Sequence, residues 1–228
     1  MLDMRANLGR VQESVARACA RVGRAPDSVL LIAVSKTMEV ERVRAAVEAG
    51  AAALGENRVQ EAKEKIEALG HPVPWHLIGS LQTNKARDAA RLFDWVQSVD
   101  RLDLAQELSR RAHAAERTLK VLLQVNLGDE PQKGGVAVAE LKRLHEVVAA
   151  LPNLSVRGLM AIPPATGEPE QARPYFRRLR ELREELGLEH CSMGMSADYE
   201  VAIEEGATMV RVGTAIFGQR AARPGAHP

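Results

Sequence analysis

Residues 29–55, VLLIAVSKTMEVERVRAAVEAGAAALG, decide the fold. The run VLLIAV (29–34) is apolar throughout, as a parallel strand covered on both faces requires. MEVERVRAAVEAG (38–50) is helical and stops on Gly50, and AAALG (51–55) is a second, weaker strand. Working outward, the same alternation continues. Helix 59–70 leads to strand WHLIG (75–79), helix 83–92 to WVQSV (95–99), and helix 102–116 to KVLLQVNL (120–127). Helix 137–150, strand VRGLMAI (156–162), a Pro/Gly-rich loop and a charged helix 171–186 follow. HCSMGM (190–195), helix 198–205 and MVRVG (209–213) complete the count. Eight strands alternating with helices predict an α/β fold, a single (β/α)8 TIM barrel. A doubly wound sheet is the rival, but the first strand ends in SKTM, with no glycine-rich phosphate turn. No helix of any length follows the eighth strand. The amphipathic helix of residues 4–22, with Leu8, Val11, Val15 and Ala18 near helical spacing, is expected to close the ring in its place. One domain over residues 1–218 and a flexible tail, 219–228, are expected.

Composition narrows the function. A net charge of +1, with no basic stripe, makes nucleic acid a poor partner. Two cysteines, Cys19 and Cys191, are too few for a disulfide framework and fit a reducing cytoplasm. The opening MLDMRANLGR lacks the apolar stretch of a signal peptide, and no apolar run approaches a membrane span.

In such a barrel the chemistry sits where strands end. Those positions hold Ser35 and Lys36; Glu56, Asn57 and Arg58; His76, Ser80 and Gln82; Ser98 and Asp100; Asn126; Met160; Ser192 to Ser196; and Arg211, Gly213 and Thr214. Lys36 follows six apolar residues; desolvation there favours the neutral amine that attacks a carbonyl. Alternatively it only pairs with Glu56 or Asp100. The loops after the seventh and eighth strands suit a phosphate, because Ser192, Gly194 and Ser196, then Gly213 and Thr214, are small enough for backbone amides to approach it. Ordinary small-residue turns are the competing reading. Arg211, on the same side of its strand as Gly213, points into the mouth. A guanidinium facing a pyridine nitrogen can only donate, which keeps that nitrogen unprotonated and the ring a weak electron sink. The competing reading is an arginine paired with a barrel carboxylate. Together these features describe a site for pyridoxal 5′-phosphate, held as a Schiff base on Lys36.

The remaining residues say less. His71 and His76 lack a third ligand at metal spacing. Cys191 reads as a buried structural thiol on the face opposite His190. Lys133, in the loop DEPQKGG, reads as solvent-exposed, with a gate or second amine as the alternative.

AVSK, GENRVQE, WHLIGSLQTNK, VNLGDEPQKGG, GLMAI and SMGMSADYEVAIEEGATMVRVGTAIFG together resemble the YggS/PROSC-type pyridoxal phosphate homeostasis proteins, from about Leu30 to Gly218. The resemblance implies a barrel like the N-terminal domain of alanine racemase, with Lys36 as the Schiff-base residue. It places Ser192, Ser196, Gly213 and Thr214 near the phosphate, Arg211 near the ring nitrogen, and Asn57 and His76 along the ring. It also implies a regulator of cofactor supply. The alternative is an amino-acid racemase, which needs an acid/base group on each face of its substrate. The similar racemases take the second from a tyrosine of a further domain; Tyr175 and Tyr199, the only tyrosines here, fall on outer helices. An aldolase using Lys36 without cofactor explains the lysine but leaves the phosphate loops and Arg211 with less to do. A monomer, with pyridoxal-phosphate-dependent apo-enzymes as recipients, is expected.

Overall fold

A computed structural model describes residues 3–128, 130, 134–165 and 167–218. Eight parallel strands close on themselves: β1 (Leu30–Val34), β2 (Ala53–Glu56), β3 (Trp75–Leu77), β4 (Trp95–Val99), β5 (Leu119–Asn126), β6 (Leu154–Ala161), β7 (His190–Ser192) and β8 (Met209–Val212). Each pairs with the next in the chain, and β8 returns to β1 with Met209 opposite Leu30. The expected barrel is formed. A two-residue segment, Val136–Ala137, also pairs with the end of β5; the sequence reading took its second residue as the start of the following helix.

Alternation separates two apolar clusters. Ile32, Ala53, Trp95, Leu122, Met160 and Met209 fill the barrel. Their neighbours Ala33, Leu54, Val96, Leu123 and Val210 pack outward against the helices. The helices are α1 (Met4–Arg21), α2 (Val40–Glu48), α3 (Val59–Leu69), α4 (Ala86–Leu92), α5 (Leu102–Ala114), α6 (Val138–Ala149), α7 (Arg173–Glu185), α8 (Tyr199–Glu204) and the single turn α9 (Thr214–Phe217). Asp3 caps α1, its carboxylate accepting from the Ala6 amide. Leu8, Val11, Val15 and Ala18 then bury one face of α1, and the helix lies against α8, α9 and α2. It therefore occupies the place of a last barrel helix, as expected. Helix α2 starts at Val40, later than the sequence pattern suggested, because Thr37 takes a left-handed conformation that ends β1 in a turn. The expected tail, 219–228, lies outside the described residues.

Candidate functional site

Parity sorts the strand ends. On β2, Ala53 faces in and Leu54 out, so Gly55 faces the barrel axis and Glu56 faces away from it. The sequence reading put Ser35 and Glu56 at the mouth. The structure places both side chains behind the barrel wall, where Ser35 Oγ and Lys65 Nζ of α3 each lie 2.6 Å from Glu56 Oε1. Burial pushes the Glu56 carboxyl up, against the opposing pull of Lys65 and Ser35. Glu56 is thus engaged from behind. Asn57, half-buried, stands on the wall of a pocket of about 450 Å3 that also borders Ser80 and Gln82.

Lys36 is half-buried at the rim, two residues beyond Val34. Gly213 lies against that same strand end: a Cβ on it would sit 3.2 Å from the Val34 carbonyl oxygen. The Gly213 amide donates to Ser196 Oγ at 3.4 Å, which joins the loops after β7 and β8. Gly194 has φ +88°, and a Cβ there would approach Ala202 Cβ to 2.6 Å and Tyr199 Cα to 2.9 Å. Only glycine lets this loop lie flat on α8. Thr214 follows Gly213, exposed. The end of β1 and the two small-residue loops therefore converge.

Arg211 lies beneath them, 3% exposed. Its Nη1 donates to Ser192 Oγ at 2.7 Å and its Nη2 to the Ala161 carbonyl at 3.0 Å. Among the described residues no carboxylate forms an ion pair with it, so the paired-arginine reading does not hold there. Burial pulls its pKa down to about 10, with Asp198 opposing, and it stays a cation at neutral pH. Ser192 Oγ donates to Gln97 Oε1 at 2.6 Å, and Gln97 Nε2 donates to His76 Nδ1 at 2.9 Å. An amide nitrogen can only donate, so Nδ1 accepts and the His76 proton belongs on Nε2. Burial pulls His76 down to about 3, leaving it neutral. Its ring stacks on Trp95 with centroids 5.4 Å apart, and Lys120 caps the other end of this column, 5.2 Å from the Trp95 ring centre.

The structure therefore gathers Lys36, Ser196, Gly213 and Thr214 at the rim. It sinks Ser192 and His76 into the barrel as supports linked to Arg211. Gln97, which joins them, was missed; its signal was a lone amide inside the apolar strand WVQSV. Asp100 accepts from the Gly135 amide at 3.1 Å and pairs with Arg101, so it is spent on the loop after β5. Cys191 faces outward and is buried, which pushes its thiol up to about 12 and fits the structural reading. Lys133 lies outside the described residues.

The family model for the alanine racemase N-terminal domain matches residues 6–221. The pyridoxal phosphate homeostasis protein of Aquifex aeolicus is 48% identical over 220 residues, 93% of this chain and 96% of that protein. The protein of the same name from Pseudomonas aeruginosa is 49% identical over 217 residues, 94% of each chain. PipY of Synechococcus elongatus, solved with pyridoxal phosphate bound, superposes with a TM-score of 0.79 at 40% identity, covering 90% of this chain and all of that one.

Proposed function

The chain belongs to the pyridoxal phosphate homeostasis family, built on the alanine racemase N-terminal barrel, and on that premise we propose that it binds pyridoxal 5′-phosphate reversibly on Lys36 and serves to regulate its supply. The observation that carries the reading is the buried Arg211 cation, which forms no ion pair among the described residues, beneath a rim where Lys36 and the Ser196–Gly213 loops converge. Bound there, the cofactor supplies an aldehyde that a neutral amine captures with loss of water. The chain's residues do the rest. Lys36 provides the amine, and the amides around Gly213 and Thr214, with Ser196, bind phosphate where a larger residue would intrude. Arg211 would donate to a ring nitrogen held above it and could not protonate it, which would leave the ring a weak electron sink. Ser192, Gln97 and His76 hold Arg211 in place, and Asn57 would border the ring's edge.

We favour a binding protein over a racemase. Racemisation requires an acid/base group on each face of the substrate. Tyr175 lies on α7 and Tyr199 on α8, outside the strands. The cofactor's recipients are proposed to be pyridoxal-phosphate-dependent apo-enzymes, served by a cytoplasmic monomer. No helix among the described residues is long and apolar enough to cross a membrane.

The purified protein is expected to be yellow, to lose its colour in Lys36→Ala, and to carry pyridoxyl mass on the Lys36 peptide after borohydride. A colourless protein sinks the reading. Rapid racemisation of alanine or serine replaces it with the enzyme.

A further inference from the structure

Helix α3 grips the backbone on both sides of Lys36. On one side, Lys65 Nζ donates to the Ser35 carbonyl across 2.7 Å while pairing with Glu56. The Met38 amide reaches that same carbonyl at 3.0 Å and closes the turn that ends β1. On the other side, the Thr37 amide donates to Glu61 Oε2 at 3.0 Å. Glu61 and Lys65 stand four residues apart, which puts both on one face of α3.

Between these two anchors Thr37 has φ +64°. A β-branched residue in the left-handed region is strained, and such strain persists only where the surroundings hold it. Among the described residues, Glu116 and Asn153 are the other non-glycine residues with positive φ. Both precede strands, at the opposite end of the barrel from Lys36. The anchoring pair is also a poor source of stability. Glu56 Oε2 is buried with no hydrogen-bond partner, and a buried ion pair of this kind seldom outperforms apolar packing. The arrangement is better explained by what it holds.

We propose that Glu61 and Lys65 are positioning residues for Lys36: from α3 they fix the peptide units on either side of it in a strained turn that directs its amine into the mouth. The proposal rests on Lys36 being the cofactor amine. Glu61 acts on the backbone, through the Thr37 amide. Apart from its bond to Thr37, Glu61 faces Arg58, 3.9 Å away and largely exposed, and its charge adds slightly to the upward push on the Glu56 carboxyl. Removing its carboxylate therefore leaves the core intact and frees the turn.

The test compares Glu61→Ala with Glu61→Gln, which keeps an acceptor oxygen, and with Glu61→Ala in a Thr37→Gly background. Two quantities are read: release of pyridoxal 5′-phosphate into an excess of an aldehyde trap, and hydrogen exchange of the Thr37 amide in cofactor-free protein. Glu61→Ala is expected to speed release roughly tenfold, about 1.4 kcal/mol. It should also speed Thr37 exchange, with little change in melting temperature. Glu61→Gln should stay near the parent, and the added Thr37→Gly should slow release again, because glycine occupies a left-handed turn without strain. A yellow parent, reducible at Lys36, whose Glu61→Ala variant releases cofactor at the parental rate overturns the positioning role and leaves the cofactor reading standing. A colourless parent overturns both.

Discussion

Arg211 and Ser192 meet inside the barrel, Nη1 donating to Oγ across 2.7 Å, with neutral groups alone completing the chain behind them. A carboxylate at Ser192 would anchor the guanidinium equally well and neutralise it. The hydroxyl orients the arginine and leaves its charge for whatever enters the mouth. Because Ser192 accepts from Arg211, its proton goes to Gln97, and the Gln97 amide must turn its nitrogen to His76.

Replacing Gln97 by Met keeps the volume and breaks this chain at its centre. Ser192 loses its acceptor and His76 its donor, both inside the barrel. Unpaired buried polar groups cost about 1–3 kcal/mol. Urea unfolding should show that loss with an unchanged slope, and titration with pyridoxal 5′-phosphate should show weaker binding as Arg211 loosens.

Acid should destabilise the protein partly through His76. Its pKa falls from 6.5 unfolded to about 3 folded, so between those values the unfolded chain binds the extra proton and stability rises with pH. The contribution is complete above pH 6.5 and lost towards pH 3, at about 1.4 kcal/mol per pH unit. His76→Gln should flatten the dependence of the urea midpoint between pH 6 and pH 4, roughly by that slope. An equally steep dependence in the variant would place the titration elsewhere.

The two loop glycines should respond differently to alanine. At Gly194 a Cβ meets Ala202 Cβ at 2.6 Å under a positive φ, so the loop must lift from α8. At Gly213 the nearest contact is 3.2 Å, to the Val34 carbonyl. Gly194→Ala should cost about 1–3 kcal/mol of stability. Gly213→Ala should cost less stability and chiefly weaken phosphate binding. Thermal melts, together with affinities for pyridoxal 5′-phosphate and for pyridoxal, separate the two effects.

Lys65→Met leaves the Glu56 carboxyl buried without its cation. Breaking a buried pair from one side costs about 3–5 kcal/mol, whereas replacing both partners is often nearly neutral. Lys65→Met should therefore be much less stable than Glu56→Gln/Lys65→Met in urea, a difference that a merely space-filling Lys65 would not produce.

On the outer ring, Leu8→Ala should cost about 2–5 kcal/mol, because Leu8 is 1% exposed where α1 covers the barrel. Arg21, which joins α1 to Glu200 and Glu204 of α8, is largely solvated, and Arg21→Ala should cost under about 1 kcal/mol. Urea melts of the two variants rank apolar burial against surface pairing at this seam.

Much of the candidate site was legible because strand ends can be read locally. A lysine after VLLIAV, small residues after the seventh and eighth strands, and an arginine two residues before a glycine each announce their place through the period of the strand. Misreadings came from the last residue of that period. Ser35 and Glu56 lie one position from residues that face inward, and one position reverses the face. Thr37 passed only as part of SKTM at the end of the first strand, because nothing in its own chemistry announces a left-handed turn; Glu61, twenty-four residues away, holds it.

The sequence by itself determined the eight-fold alternation and the positions of Lys36, Arg211 and the small-residue loops at its strand ends. Each follows from the identity and spacing of neighbours in the chain. Tertiary structure alone decided that Ser192 serves Gln97, ninety-five residues distant, and that Lys65 holds the carbonyl beside Lys36. Hydrogen bonds act over about 3 Å, and only closure of the barrel brings such residues within that range.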